Sequence, residues 1–92
     1  MAVDKVRKNI EQTKKAIEAF IAAITEKPET FKVNVLEGSK DIVFEVIGTD
    51  PIETGKIIGR KGTKGRALRT LVQAAGRKVN RKFLLEIVDK TA

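Results

Sequence analysis

Apolar residues recur at spacings of three and four through the first quarter of the chain. Val3, Val6, Ile10, Ile17, Phe20 and Ile24 form one stripe, Thr13 fills a slot in it, and Ile21 widens it. That is the period of a helix. It predicts one from about Asp4 to about Glu26, stopped by Pro28, which cannot continue the hydrogen-bond ladder. The period then changes to two. Phe31, Val33 and Val35 share one face of a short run, and Ile42, Phe44 and Val46 share one face of the next. Glu37-Gly38-Ser39-Lys40 between them is turn material, so the pair reads as an antiparallel hairpin.

Asp50-Pro51-Ile52-Glu53 then marks a helix start: Asp50 to cap, Pro51 for the first position, Glu53 to complete a capping-box pattern. Gly59 and Gly62 interrupt this helix almost at once. A further helix is expected from about Thr63 to Ala75, with Ala67, Leu68, Leu71, Val72 and Ala75 on its apolar stripe and Gly76 as its C′ stop. The last run alternates again, with Phe83, Leu85 and Ile87 on one side and Lys82, Leu84, Glu86 and Val88 on the other. The order is α-β-β-α-α-β. Two helices separate the second and third strands, so as neighbours these must run parallel through a right-handed crossover. The fold class is α+β, a three-stranded mixed sheet with three helices on its apolar face.

Ninety-two residues leave room for one hydrophobic core. The chain has neither cysteine nor histidine, which removes disulfides, the commonest zinc ligands, the usual general base and the Ser-His and Cys-His nucleophile pairs. No metal or cofactor is expected, and no enzyme. Asp50 and Glu53 are better explained as helix-capping groups than as an acid–base pair. The most apolar stretch, Ala16 to Ile24, contains Glu18 and is too short to span a bilayer, and the charged first ten residues do not read as a signal peptide. A cytoplasmic protein without membrane contact is the expectation.

Charge changes the picture more than composition does. The net charge is +7, yet no acidic residue lies between Thr54 and Leu85. That window holds Lys56, Arg60, Lys61, Lys64, Arg66, Arg69, Arg77, Lys78, Arg81 and Lys82, a charge of +10, and leaves −3 for the rest of the chain. A solvated surface normally mixes both signs, so a one-sign segment points to a polyanion.

Near the start of that segment, Gly59-Arg60-Lys61-Gly62 joins two helices. Glycine admits positive φ and close approach of another backbone. The helix that follows offers unpaired N–H groups and a favourable dipole to an anion. Arg60 and Lys61 add a fork and a point charge. A tight helix–helix turn would also use glycine; the acid-free surroundings favour the phosphate reading. No glycine is followed by Lys and then Ser or Thr, as a P-loop requires, and no strand precedes Gly55 as a dinucleotide fingerprint would need.

The stretch GKIIGRKGTKGRALRTLVQAAG resembles the core of a KH domain, whose hallmark is I-G-x-x-G between two helices. The element order resembles the type II arrangement, and from about Lys14 to Asp89 the chain is similar to the small stand-alone bacterial KH proteins of the KhpA type. The resemblance implies a single-stranded RNA-binding protein, an RNA chaperone or adaptor, that holds about four nucleotides in a groove. By position, Gly59, Arg60, Lys61 and Gly62 would meet phosphate and sugar, with Thr63 beside them, and Ile58 would floor the groove. Arg77, Lys78, Arg81 and Lys82 would add contacts from the loop that flanks the groove in type II domains. Lys56, Lys64, Arg66 and Arg69 would add attraction. RNA rather than single-stranded DNA is implied by the family, not by residue chemistry. Gly65 departs from the pattern, since many KH domains carry an aliphatic residue there. A shallower groove and weak base selectivity follow, and a close backbone approach is the favoured reason for the glycine. With no Trp or Tyr and all four Phe on inward faces, stacking platforms are not expected.

The first helix is longer than the sheet needs: Ile17, Phe20, Ile21 and Ile24 suffice to pack on it, and Val3, Val6 and Ile10 run on at heptad-like spacing. Residues 1–13 therefore read as a helical extension continuous with the first helix, and residues 14–90 as the KH domain. The extension is either a loosely packed terminus or a surface for a second copy or a second RNA-binding protein. A scaffolding module with incidental nucleic-acid binding is the alternative function.

Overall fold

The alternation in the middle strand decides where the core lies. Ile42, Phe44 and Val46 are all buried on one side of it, and the residues between them are only half covered. The computed structural model describes residues 2–90; the side chain of Val3, first in the expected stripe, lies outside the described residues. The elements are α1 (Ala2–Ile24), β1 (Phe31–Glu37), β2 (Asp41–Gly48), α2 (Pro51–Ile58), α3 (Thr63–Arg77) and β3 (Lys82–Asp89), with 3-10 turns at Pro28–Thr30 and Arg60–Gly62.

The sheet order is β1-β2-β3, with β1 antiparallel to β2 and β2 parallel to β3. The helices cover the face that carries Val33, Ile42, Phe44, Val46, Phe83 and Leu85. Phe44 and Phe83 meet across the parallel pair with ring centroids 5.1 Å apart, tilted by 55°, a geometry worth about 0.5–1.5 kcal/mol beyond the buried area. The opposite face stays open, and Leu36 on it is half exposed. The expected fold class, order and sheet are those observed.

Several details differ. α1 ends at Ile24, two residues before the expected limit, and its last helical bond is the Thr25 amide to the Ile21 carbonyl at 3.0 Å, where the Thr25 hydroxyl also donates at 2.6 Å. Pro28, which has no N–H for the Ile24 carbonyl, opens the following 3-10 turn. Ile10 is not surplus to the sheet. It is buried in the core, Val6 packs against that core, and Asn9 donates to the Ala75 carbonyl of α3. Arg7 pairs with Glu37 of the hairpin at 3.3 Å. The inward stripe of α3 is Gly65, Leu68, Val72 and Gly76, whereas Ala67 and Leu71 face solvent. No described helix is long and apolar enough to cross a membrane.

Gly76 is also not a left-handed stop, since the helix runs on to Arg77. A Cβ at Gly76 would sit 2.5 Å from the Arg81 carbonyl and 2.8 Å from the Phe83 ring, so the glycine lets β3 begin directly beneath the helix. The chain reverses instead at Asn80, whose φ of 57° is tolerated by the short polar side chain of asparagine.

Candidate nucleic-acid interface

Local chemistry builds the corner between α2 and α3 from its first residue. Asp50 caps α2, its Oδ1 accepting from the Glu53 amide at 3.0 Å, and Pro51 follows in the first turn. Ile57 is fully buried and anchors the helix, leaving Ile58 half-buried beside the corner. Gly59 then takes φ 78° and ψ 167°, a region essentially closed to other residues. A Cβ there would lie 2.9 Å from the Lys64 amide nitrogen. Lys61 and Gly62 both sit in the left-handed region, at φ 57° and 74°. The corner thus carries three residues with positive φ among four, and Arg60 and Lys61 stand exposed at its tip.

The expectation of bare amides holds only in part. The Gly59 amide donates to the Gly55 carbonyl at 2.9 Å, and the Gly62 amide to the Gly59 carbonyl at 3.0 Å. The Thr63 hydroxyl donates to the Arg60 carbonyl at 2.9 Å, which fixes the turn and directs it away from the helix start. No side chain caps α3, whose N-cap is Gly62. The start of that helix therefore keeps its positive dipole end uncovered.

Cations gather around this corner unevenly. Lys64 lays its stem against Gly59, and an Arg66 Nη1 lies beside Gly62. Arg69 follows one turn later, exposed. Lys56 is differently placed: its ammonium pairs with Glu53 Oε2 at 3.1 Å. Glu53 is 3% exposed and also accepts from the Lys27 amide, so it ties the segment after α1 to α2. Burial pushes the Glu53 carboxyl up, but the Lys56 hydrogen bond and charge and the Lys27 and Glu26 amides outweigh it, and its pKa falls below the ordinary value. The Lys56 pKa rises, chiefly through its hydrogen bond to Glu53. This pair of a buried acid and a half-buried cation was not foreseen: read as a helix cap, Glu53 gave no sign of burial.

Beneath the corner, Ile58, Gly65 and Ile87 converge. A Cβ on Gly65 would lie 3.5 Å from Ile87 Cδ1 and 3.6 Å from the Ile58 carbonyl, ordinary contact distances. Close backbone approach is therefore not what requires this glycine. Ile87, read from sequence only as one of an alternating apolar set, comes near the corner across Gly65, which carries no side chain.

The second basic group does not belong to the corner. Arg77 lies 15 residues along α3 from Gly62, about 22 Å at 1.5 Å per residue. Arg77, Arg81 and Lys82 line a cleft with Gln73, Phe83 and Leu84. Lys78 points elsewhere, into a depression against α1 with Lys5, Lys8, Asn9, Gln12 and Val79. The fourteen sequence-selected positions thus separate into a corner set, a distal set, the tethered Lys56 and the outlying Lys78.

A mixed sheet in the order α-β-β-α-α-β, with a two-glycine corner between its crossover helices, is a type II KH domain. The chain matches the KhpA/KhpB KH-domain family over residues 14–87 and belongs to it. It is 41% identical over 73 residues to the RNA-binding protein KhpA of Borreliella burgdorferi, covering 79% of this chain and 88% of that one. It is 37% identical over 76 residues to the RNA-binding protein KhpA of Aquifex aeolicus, covering 83% and 95%. A crystal structure of Aquifex aeolicus Era shares the fold, with a TM-score of 0.57 at 20% identity over 85% of this chain and 30% of that one.

Proposed function

We propose that the protein binds single-stranded RNA and holds the sugar-phosphate backbone of about four nucleotides at Gly59-Arg60-Lys61-Gly62. The observation that carries this reading is the corner itself, where two positive-φ glycines remove side-chain bulk, two cations project and the helix behind them is uncapped. A phosphate group needs that combination of access and positive potential. The names of the KhpA relatives support RNA as the ligand. Ile58 and Ile87, with Gly65 between them, give bases an apolar floor without an aromatic platform. Affinity therefore comes mostly from the backbone, is lowered by salt, and distinguishes bases weakly.

The test is Arg60→Glu with Lys61→Glu, two exposed positions, titrated with single-stranded RNA, single-stranded DNA and duplex RNA. Loss of single-strand binding by about tenfold or more, with an unchanged melting curve, is the expected result. Equal wild-type affinity for duplex, or undiminished binding by the variant, would overturn the reading. A protein-scaffolding role predicts the second of these outcomes.

A further inference from the structure

We infer that the N-terminal half of α1 and the end of α3 form a docking site for an acidic segment of a partner protein. An aliphatic side chain of that segment sits in the depression between the two helices, and its carboxylates meet Lys5, Lys8 and Lys78. The inference goes beyond RNA binding and does not depend on the corner. Lys5, Lys8 and Gln12 recur at spacings of three and four, so they share one flank of α1. The core flank is a different one, carrying Val6, Ile10, Thr13 and Ile17. Facing Lys5 and Lys8 are Lys78 and Val79, where α3 gives way to the turn before β3. The depression between these walls measures about 230 Å³ and is mostly apolar. A void of roughly 150 Å³ accepts a benzene-sized group, so one branched aliphatic side chain fits.

Both walls are held by the fold. Asn9 is buried, and its Nδ2 donates to the Ala75 carbonyl at 2.5 Å, fastening α1 to α3 at the depression itself. Ile10 beside it lies in the core. On the other wall the Val79 amide donates to the Gly76 carbonyl at 3.1 Å, and the Asn80 amide to Arg77 at 3.2 Å. A partner therefore meets a preformed surface and orders only its own groups. Lys5, Lys8, Asn9 and Gln12 also precede residue 14, where the match to the family begins. Most of the site is built outside the family pattern.

Charge identifies the occupant. No carboxylate lines the depression. Among the described residues the ion pairs engage Arg7 and Lys56, and Lys5, Lys8 and Lys78 have no carboxylate partner. All three lysines are exposed. Such side chains lay their stems along apolar surface and keep the ammonium in water. An apolar centre inside a charged rim is the layout of a protein interface. RNA suits it less well. The three cations are point charges, with no guanidinium fork to grip phosphate. Lys78 also lies 16 residues beyond Gly62, about 24 Å along α3 from the corner.

The experiment titrates a short blocked peptide, whose leucines are flanked by glutamates, against the full chain at low ionic strength. Two reference peptides replace its glutamates by glutamine or its leucines by serine. The proteins are wild type, Lys5→Glu/Lys8→Glu, Lys78→Glu, and the charge-matched controls Arg60→Glu/Lys61→Glu and Lys32→Glu/Lys40→Glu. Wild type is expected to bind the first peptide at least about tenfold more tightly than either reference. Lys5→Glu/Lys8→Glu should lose about tenfold in that affinity and Lys78→Glu several-fold. Both should melt normally, since glutamate suits the first turns of α1 and Lys78 is exposed. The two controls should bind within about twofold of wild type. Absence of peptide binding, equal binding of the serine peptide, or undiminished binding by the two site variants overturns the inference. An eight-nucleotide uniform RNA supplies the last arm. If Lys5→Glu/Lys8→Glu weakens RNA binding and leaves the peptide affinity unchanged, the lysines serve nucleic acid and the docking site falls. None of these outcomes bears on the corner, which its own variant tests.

Discussion

The Glu53 carboxylate holds the Lys56 ammonium at 3.1 Å while its other oxygen receives the Lys27 amide. One buried acid thus joins the exit from α1 to the helix that ends at the two-glycine corner. Because its folded pKa is depressed, its stabilising share is present above the ordinary value of 4.5 and is lost as pH falls through the lowered one. Lys56 works in the opposite sense: its share is present below 10.5 and is lost as pH rises through its raised value. Glu53→Gln should lower the denaturation midpoint at neutral pH, with the gap to wild type closing in acid. Urea unfolding across pH checks this, and a gap independent of pH would contradict it.

The two glycines of the corner should respond unequally to substitution. Gly59 combines a forbidden backbone region with a backbone nitrogen in the way, so Gly59→Ala is expected to cost about 1–3 kcal/mol. Gly62 is in the left-handed region with only the mobile Arg66 side chain nearby, so Gly62→Asn should cost a few tenths of that. Thermal unfolding of both variants settles the ranking. It follows that acidic substitutions at Gly59 confuse folding with binding, whereas Arg60 and Lys61 report binding alone.

Lys61 is a non-glycine residue at φ 57°, ψ 24°. Relief of that strain makes Lys61→Gly more stable by up to about 1–2 kcal/mol, while removal of an exposed cation weakens RNA binding. Paired measurements of unfolding and affinity should therefore move in opposite directions. Parallel losses would mean that the lysine side chain supports the fold.

Gly65 has room for a methyl group at ordinary contact distance from Ile87 and Ile58. Gly65→Ala should stabilise α3 by about 1 kcal/mol through helix propensity. Gly65→Val builds a deeper wall on the groove floor, and its base preference should sharpen in titrations with the four homopolymers. A destabilised Gly65→Ala variant would restore the idea that close approach demands the glycine.

The sheet, the element order and the corner were legible in sequence because each rests on a local signal: period two in 42–46, a cap at Asp50, paired glycines at 59 and 62. What escaped depends on which side of a helix faces inward and how closely two backbones meet. Leu71 looked buried by its spacing, yet the packed flank of α3 runs through Gly65, Leu68, Val72 and Gly76, and at Gly76 the lack of a side chain lets β3 come near. Gly76 was taken for a stop on its position alone, but its reason is the Phe83 ring across the gap. Val6 and Ile10 passed for surplus because counting turns against strand length ignores α3, which α1 also touches through Asn9.

Pairing of β2 with β3 joins Asp41 to Lys82, 41 positions later, and the corner lies on the excursion between them. Closing so long an excursion is slow relative to hairpin formation. The α1 and β1–β2 portion can form before the geometry of the corner exists. An oligonucleotide that recognises only the finished crossover would then act on the unfolding rate, prolonging the life of the native chain without hastening its first appearance.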